Sequence, residues 1–294
     1  MRHRRLQRLR DGKEVAGRFL RASDVPTLVR DCETGIDEHN VVQYVFLPGV
    51  IAPDVSALGY ECLRGAAVET TNRGMAAGTY DLGVPTGRVA AGGARTRRIK
   101  PDGAISNTND APSVQSGVAG AMDRYPRIPY CRQTSWTQEH RGLWLGAIPF
   151  IVAVAEQFRL HRPEEHARQL AMAEKTHPAW VIEGTPFTSI TVNRNFQTAV
   201  HTDKGDFRQG FGVLSAFARG KYSGAHFGFP AFGISFDLRD GDVLLANVHE
   251  WHGNTPFVGA PGRYERVSCV FYYREKMARC GSPQEELERA QRRK

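Results

Sequence analysis

The chain has 294 residues, of which 41% are hydrophobic and 24% charged, a balance that fits a globular protein and excludes a disordered or fibrous one. Its 39 basic and 31 acidic residues give a formal charge of +8, and all but 7 of the basic residues are Arg; guanidinium groups suit phosphate, although an Arg-, Gly- and Ala-rich chain from a GC-rich genome has the same balance. Five Cys (Cys32, Cys62, Cys131, Cys269, Cys280) with no CxxC pair argue against a disulfide framework or a structural zinc site and for a reducing compartment, the cytoplasm or a eukaryotic nucleus.

In chain order, residues 1–24 are basic and predict a frayed helix or arm. No apolar stretch follows them, so they do not read as a secretory leader. Residues 40–70 predict a strand and then a helix. From Arg73 to Ser116 the chain is Gly-rich and polar, with a basic cluster at Arg95, Arg97, Arg98 and Lys100, and predicts a long loop. Apolar residues recur at helical spacing over 143–175. The longest apolar run, Leu143 to Ala155, is too short to span a bilayer, so no membrane partner is expected. From Pro186 onward the runs TSITVN, AVHTD, VLSAF, ISFDL, DVLLANV and RVSCVFYY predict closely spaced short strands, hence an antiparallel sandwich or barrel. The last residues predict a helix capped by Ser282 with Glu285 three positions on. The expected class is α+β, organised as an N-terminal extension (1–90), a strand-rich domain (91–280) and a short C-terminal helix (281–294), acting as a monomer.

His201 and Asp203 lie two residues apart in a predicted strand, so their side chains share a face. Two imidazoles and one carboxylate suit Fe(II) and leave coordination positions open. A third ligand must come from a distant strand, and His249 and His252 are the candidates. An Arg follows, at Arg263 or Arg266; a strand Arg can grip a carboxylate with two parallel hydrogen bonds. Taken singly, each of these residues also fits a core histidine, a turn carboxylate or a surface ion pair; their order along the chain is what points to a metal site.

Through ITVNRNFQTAVHTDKGDFRQGFG, GDVLLANVHEWHGNTPF and RYERVSCVFYYR, with RRIKPDGAISNTNDAP and PRIPYCRQTSWT upstream, the chain resembles the TET/JBP family of Fe(II)- and 2-oxoglutarate-dependent dioxygenases. The phage and algal members look most similar, over roughly Ile99 to Arg274. The resemblance implies a double-stranded β-helix (jelly-roll or cupin-like) with flanking helices and a long basic loop. It implies His201, Asp203 and His252 as iron ligands, with His249 second choice to His252. Arg266 and Arg132 would hold the cosubstrate. Asp206 would read the base edge and Tyr272 would stack on the base, with Arg274 beside it. A methyl group inside a duplex is out of reach, so the base must flip out. A carboxylate at 206 accepts from the N4 amino group of cytosine, whereas thymine offers an acceptor, O4; that favours 5-methylcytosine.

Asn193 and Arg194 are expected at the cavity entrance, and Asn107, Arg97 and Arg98 on DNA phosphate and groove. The implied reaction consumes 2-oxoglutarate and O2, releases succinate and CO2, and converts 5-methylcytosine in DNA to 5-hydroxymethylcytosine. Three alternatives fit the same residues: ascorbate-dependent glyceryl transfer to 5-methylcytosine, hydroxylation of thymine or a free nucleoside, and a non-catalytic nucleic-acid-binding barrel.

Overall fold

The computed structural model describes residues 1–81, 96–98, 104, 112–126 and 128–292. In chain order the strands and helices are β1 (Arg2–Arg5), β2 (Thr27–Val29), β3 (Glu33–Ile36), β4 (Val42–Leu47), α1 (Pro53–Leu63), β5 (Glu69–Thr70), β6 (Thr79–Asp81), β7 (Thr96–Arg98), β8 (Val114–Met122), β9 (Arg132–Gln133), α2 (Ser135–Glu139), α3 (Arg141–His161), α4 (Pro163–Glu174), β10 (Ser189–Arg194), β11 (Gly212–Gly220), β12 (Ser223–Gly224), β13 (Phe227–Phe229), β14 (Ile234–Phe236), β15 (Val243–Ala246), β16 (Gly253–Asn254), β17 (Phe257–Val258), β18 (Tyr264–Tyr272) and α5 (Pro283–Gln291). The major sheet runs β1-β3-β4-β15-β11-β18-β10-β8-β5, with β9 on β8; the minor sheet runs β16-β13-β14-β2. The two sheets face each other in the expected jelly-roll arrangement, with helices on the outer face of the larger one.

Strand alternation decides what each face meets. On β18, Val267, Cys269 and Phe271 point to the helical side, where they join Phe150, Val154 and Phe158 of α3 in one core. The intervening Arg266, Ser268, Val270 and Tyr272 point into the sandwich and line a cavity. The neighbouring β10 repeats the pattern, with Ile190 and Val192 toward the helices and Thr191 and Asn193 toward the cavity. Between the sheets, Phe227, Phe229 and Phe236 pack against Tyr44, Phe46 and Leu244. Phe271 and Phe229 are fully buried, and truncating either to Ala should cost about 3–5 kcal/mol. Helix α3 runs for 21 residues, beyond the apolar run read from sequence. By length and composition it could cross a membrane, but Trp144, Ala147, Phe150, Ile151, Val154, Ala155 and Phe158 are buried.

Three expectations are corrected. Residues 1–24 form β1 and two 3-10 turns instead of a helix. β1 pairs parallel to β3, and Arg4 donates to the buried Glu33 at 2.7 Å, which also accepts from Tyr44 Oη at 2.6 Å. The N-terminal segment is not merely packed on the sandwich: β4 pairs with β15 in the major sheet and β2 with β14 in the minor one. Finally, Cys131 and Cys280 form a disulfide, with Cα atoms 5.8 Å apart and a sequence separation of 149. An odd cysteine count says nothing about one pair that folding brings together. The C-terminal helix is capped as expected, with Glu285 N donating to Ser282 Oγ and Ser282 N to Glu285 Oε2. Most of the predicted basic loop, including Asn107, lies outside the described residues.

Candidate active site

His201 and His252 face each other as a two-residue antiparallel bridge. His201 N donates to His252 O at 2.9 Å, and His252 N to His201 O at 3.0 Å, so backbone pairing fixes the spacing of the two imidazoles. Each ring is oriented by its own chain: His201 Nδ1 lies 2.8 Å from Ala199 O, and His252 Nδ1 lies 2.9 Å from Glu250 O. A carbonyl can only accept, so Nδ1 carries the proton and the Nε2 lone pair is free for a metal. Asp203 completes the group, with Oδ1 3.6 Å from His201 Nε2 and Oδ2 3.7 Å from His252 Nε2. The three ligating atoms lie within 4.8 Å of one another. His252 is buried and stacks on Phe227, ring centroids 5.1 Å apart. Burial, reinforced by His201, lowers its pKa to about 4, which keeps it neutral and able to ligate. His249 is not part of this group; its Nε2 lies 3.5 Å from Phe207 O.

The triad opens on a cavity of about 330 Å³. Arg266 lines it and is 4% exposed; burial pulls its pKa down, and no carboxylate pairs with it among the described residues. The second expected guanidinium is misplaced. Arg132 does not line the cavity: its guanidinium lies 5.2 Å from the Tyr125 ring and donates to Tyr125 Oη at 3.3 Å. Its strand β9 is displaced from the triad by β8. Arg73 lines the cavity instead, with its Nε buried and without a hydrogen-bond partner among the described residues. Burial lowers its pKa, opposed by Tyr272 and Asp203 nearby. Nothing in the sequence around Arg73 signals this, because the segment reaches the site only through tertiary packing.

Asp206, Tyr272, Arg274 and Asn193 line the same cavity. Tyr272 Oη shares a hydrogen bond with Thr191 Oγ1 at 3.2 Å, and Ser116 Oγ donates to Asn193 Oδ1. Arg274 donates to Asp123 Oδ1 at 2.7 Å and packs over Gly205, where a Cβ would sit 3.0 Å from its Nη2. Asp123 is a site residue that sequence reasoning missed. Burial, with Asp203 close by, raises the Asp206 carboxyl well above the ordinary range, against the pull of Arg274. Arg194 turns away from the cavity to Glu265, 2.6 Å distant. Arg97 and Arg98 lie on β7, paired with Tyr80 and Thr79 of β6.

Residues 122–275 match the profile of the Tet/JBP family, described as the oxygenase domain of the 2OGFeDO superfamily. The chain belongs to the Tet/JBP family. The match covers just over half the sequence and contains all three triad residues. Among curated proteins, this Tet/JBP chain is 39% identical over 168 residues to thymine dioxygenase JBP1 of Trypanosoma brucei brucei, covering 55% of this chain and 19% of that one. It is 33% identical over 244 residues to thymine dioxygenase JBP1-A of Trypanosoma cruzi, covering 81% and 25%. It therefore spans about a fifth to a quarter of the length of these relatives. Among solved structures, NgTET1 in complex with 5mC DNA superposes with a TM-score of 0.60 at 12% identity, covering 99% of this chain and 90% of that one; at that identity the likeness speaks for the fold.

The residues present fit the metal and cosubstrate of the superfamily. Two imidazole nitrogens with free lone pairs and one carboxylate form a donor set that suits Fe(II). An unpaired, buried Arg266 is a ready partner for a carboxylate.

Proposed function

We propose that this chain is an Fe(II)- and 2-oxoglutarate-dependent dioxygenase that hydroxylates the 5-methyl group of a pyrimidine flipped out of DNA, with 5-methylcytosine converted to 5-hydroxymethylcytosine. The observation that carries this reading is the convergence, in one cavity, of the His201–Asp203–His252 triad, the unpaired Arg266 and the base-sized pocket wall of Tyr272, Asp206 and Arg274. When bound, the iron and the keto acid supply the oxidising power, which the protein itself lacks. His201 and His252 present their Nε2 lone pairs in fixed orientation. Arg266 holds the remote carboxylate of the cosubstrate, and Arg73 takes the part that the family resemblance implied for Arg132. Tyr272 offers a face for the flipped base to stack on. Asp123 anchors Arg274, so the base-reading wall is braced before the base arrives.

A second reading, thymine as substrate, is favoured by a specific observation. The burial that raises Asp206 favours its protonated form, and a carboxylic acid donates to O4 of thymine, whereas a carboxylate accepts from N4 of cytosine. The JBP1 relatives carry the name thymine dioxygenase.

The test is nucleoside mass spectrometry of DNA containing both bases after incubation with protein, Fe(II) and 2-oxoglutarate. 5-Hydroxymethylcytosine supports the first reading and 5-hydroxymethyluracil the second. Neither product, with no succinate released, sinks the proposal, and a product formed with ascorbate alone would replace it by glyceryl transfer.

A further inference from the structure

Beyond the cavity, the major sheet continues the face that carries Tyr272 and Arg274. Tyr273, Ala121 and Cys131 cluster together on its outer side. Their chain neighbours Arg274, Met122 and Arg132 therefore face the opposite side, and Arg274 is the one that lines the cavity. The ladder sets the spacing. Tyr272 pairs with Ser189, Ser189 with Gly120, and Met122, two residues on, with Arg132 of β9. Arg132 thus lies three strands from Tyr272 on the same face, about 14 Å at the usual strand spacing. Its guanidinium lies over the ring of Tyr125, which is 37% exposed. Nη2 donates only to Tyr125 Oη and to Met122 Sδ, the latter at 3.8 Å. Nη1 has no partner among the described residues. Arg124, eight residues earlier, is neutralised by Glu286; among the described residues no carboxylate does the same for Arg132.

We infer that Arg132, backed by the Tyr125 ring, is a phosphate contact for the DNA strand that carries the flipped base. This rests on the DNA reading and names a surface for it outside the cavity. A base turned in toward Tyr272 leaves its own backbone at the cavity mouth. The wall of Tyr272 and Arg274 continues through β10 and β8 to β9, so a strand leaving the mouth on that side meets Arg132. At 3.4 Å of rise per base pair, 14 Å is about four steps along a duplex, which places the guanidinium on a backbone phosphate within a few nucleotides of the target. A guanidinium takes phosphate oxygens with two parallel hydrogen bonds, and the Tyr125 face holds its plane without removing its charge. Such a contact supplies affinity and register, and no choice between cytosine and thymine.

The experiment is fluorescence anisotropy of a labelled duplex, with and without 5-methylcytosine, over a series of KCl concentrations, with Mn(II) and 2-oxoglutarate present under nitrogen. The proteins are wild type, Arg132→Ala, Arg132→Lys and Arg141→Ala; the last removes an exposed charge from the start of α3, on the helical side. Arg132→Ala should lower the slope of log Kd against log [KCl] by about 0.9, the share of one phosphate contact, and weaken both duplexes alike. Arg132→Lys should keep the slope and Arg141→Ala should leave it unchanged, with melting temperature and 2-oxoglutarate affinity at wild-type values throughout. An Arg132→Ala slope equal to that of wild type, or a drop no larger than that of Arg141→Ala, overturns the inference. So does a loss shared equally by Arg132→Lys or accompanied by a lower melting temperature, which is the mark of packing on Tyr125, and so does a loss confined to the methylated duplex, which marks a base contact. Wild-type protein that binds 2-oxoglutarate but no duplex at any salt concentration would overturn the DNA reading itself, an outcome distinct from equal slopes.

Discussion

Replacing His252 by Ala should abolish metal-dependent stabilisation, and replacing His249 by Ala should leave it intact. The two residues lie three positions apart, yet only the first points its Nε2 at Asp203, 3.7 Å away; the second is directed to Phe207 O. A metal that binds only the folded state at a hundredfold excess over its Kd adds about 2.7 kcal/mol of stability. For a chain of this order, 1 kcal/mol corresponds to about 2–4 °C, so the expected rise in Tm is about 5–10 °C. The assay is a melt under nitrogen with Fe(II) or Mn(II) for wild type, His201→Ala, His252→Ala and His249→Ala. Loss of the shift in His249→Ala together with its retention in His252→Ala would refute the assignment of the triad.

Two further outcomes are expected. Arg73→Ala should weaken 2-oxoglutarate binding measured by calorimetry, whereas Arg132→Ala should leave it unchanged, because only the former lines the cavity. Glu286 is 1% exposed and accepts from Arg124, from Cys131 N at 2.7 Å and from Gly281 N at 2.8 Å. Burial alone would raise its pKa, but these donors outweigh burial and hold it below the ordinary 4.5. A depressed carboxylate contributes stability that is complete above its unfolded value and lost as pH falls through its folded value. Glu286→Gln should therefore lower the urea midpoint at neutral pH, by about 1.5–3 kcal/mol in unfolding free energy, and flatten the loss of stability below about pH 4.5.

Much of the site was legible because strand periodicity carries it. His201 and Asp203 share a face by their spacing, and Arg266 and Tyr272 share the inward face of β18 for the same reason. The choice of His252 over His249 came from family resemblance, through motif context and a family-like 14-residue spacing to Arg266; what decides it physically is the direction of each ring. The remaining features depend on contacts between segments far apart in sequence. Arg73 enters the cavity 128 residues ahead of His201, and Asp123 finds Arg274 at a separation of 151. Arg132 was assigned by local motif alone, and its strand lies one position too far out in the sheet. The basic N-terminal residues lack any period that would mark a strand; β1 forms because Glu33 offers Arg4 a buried partner.

The pairing of β4 with β15, and of β2 with β14, separates the unit that sequence comparison recognises from the unit that folds. A fragment cut to residues 122–275 would keep every triad ligand and lose the strands on either side of them. β15 would be left without β4, β10 without β8, and the minor sheet without β2. Each loss bares a row of backbone donors and acceptors that seeks another chain to pair with. Such a minimal oxygenase fragment should aggregate before its chemistry could be assayed, so expression boundaries for this protein are better drawn from strand partners than from the span of the family match.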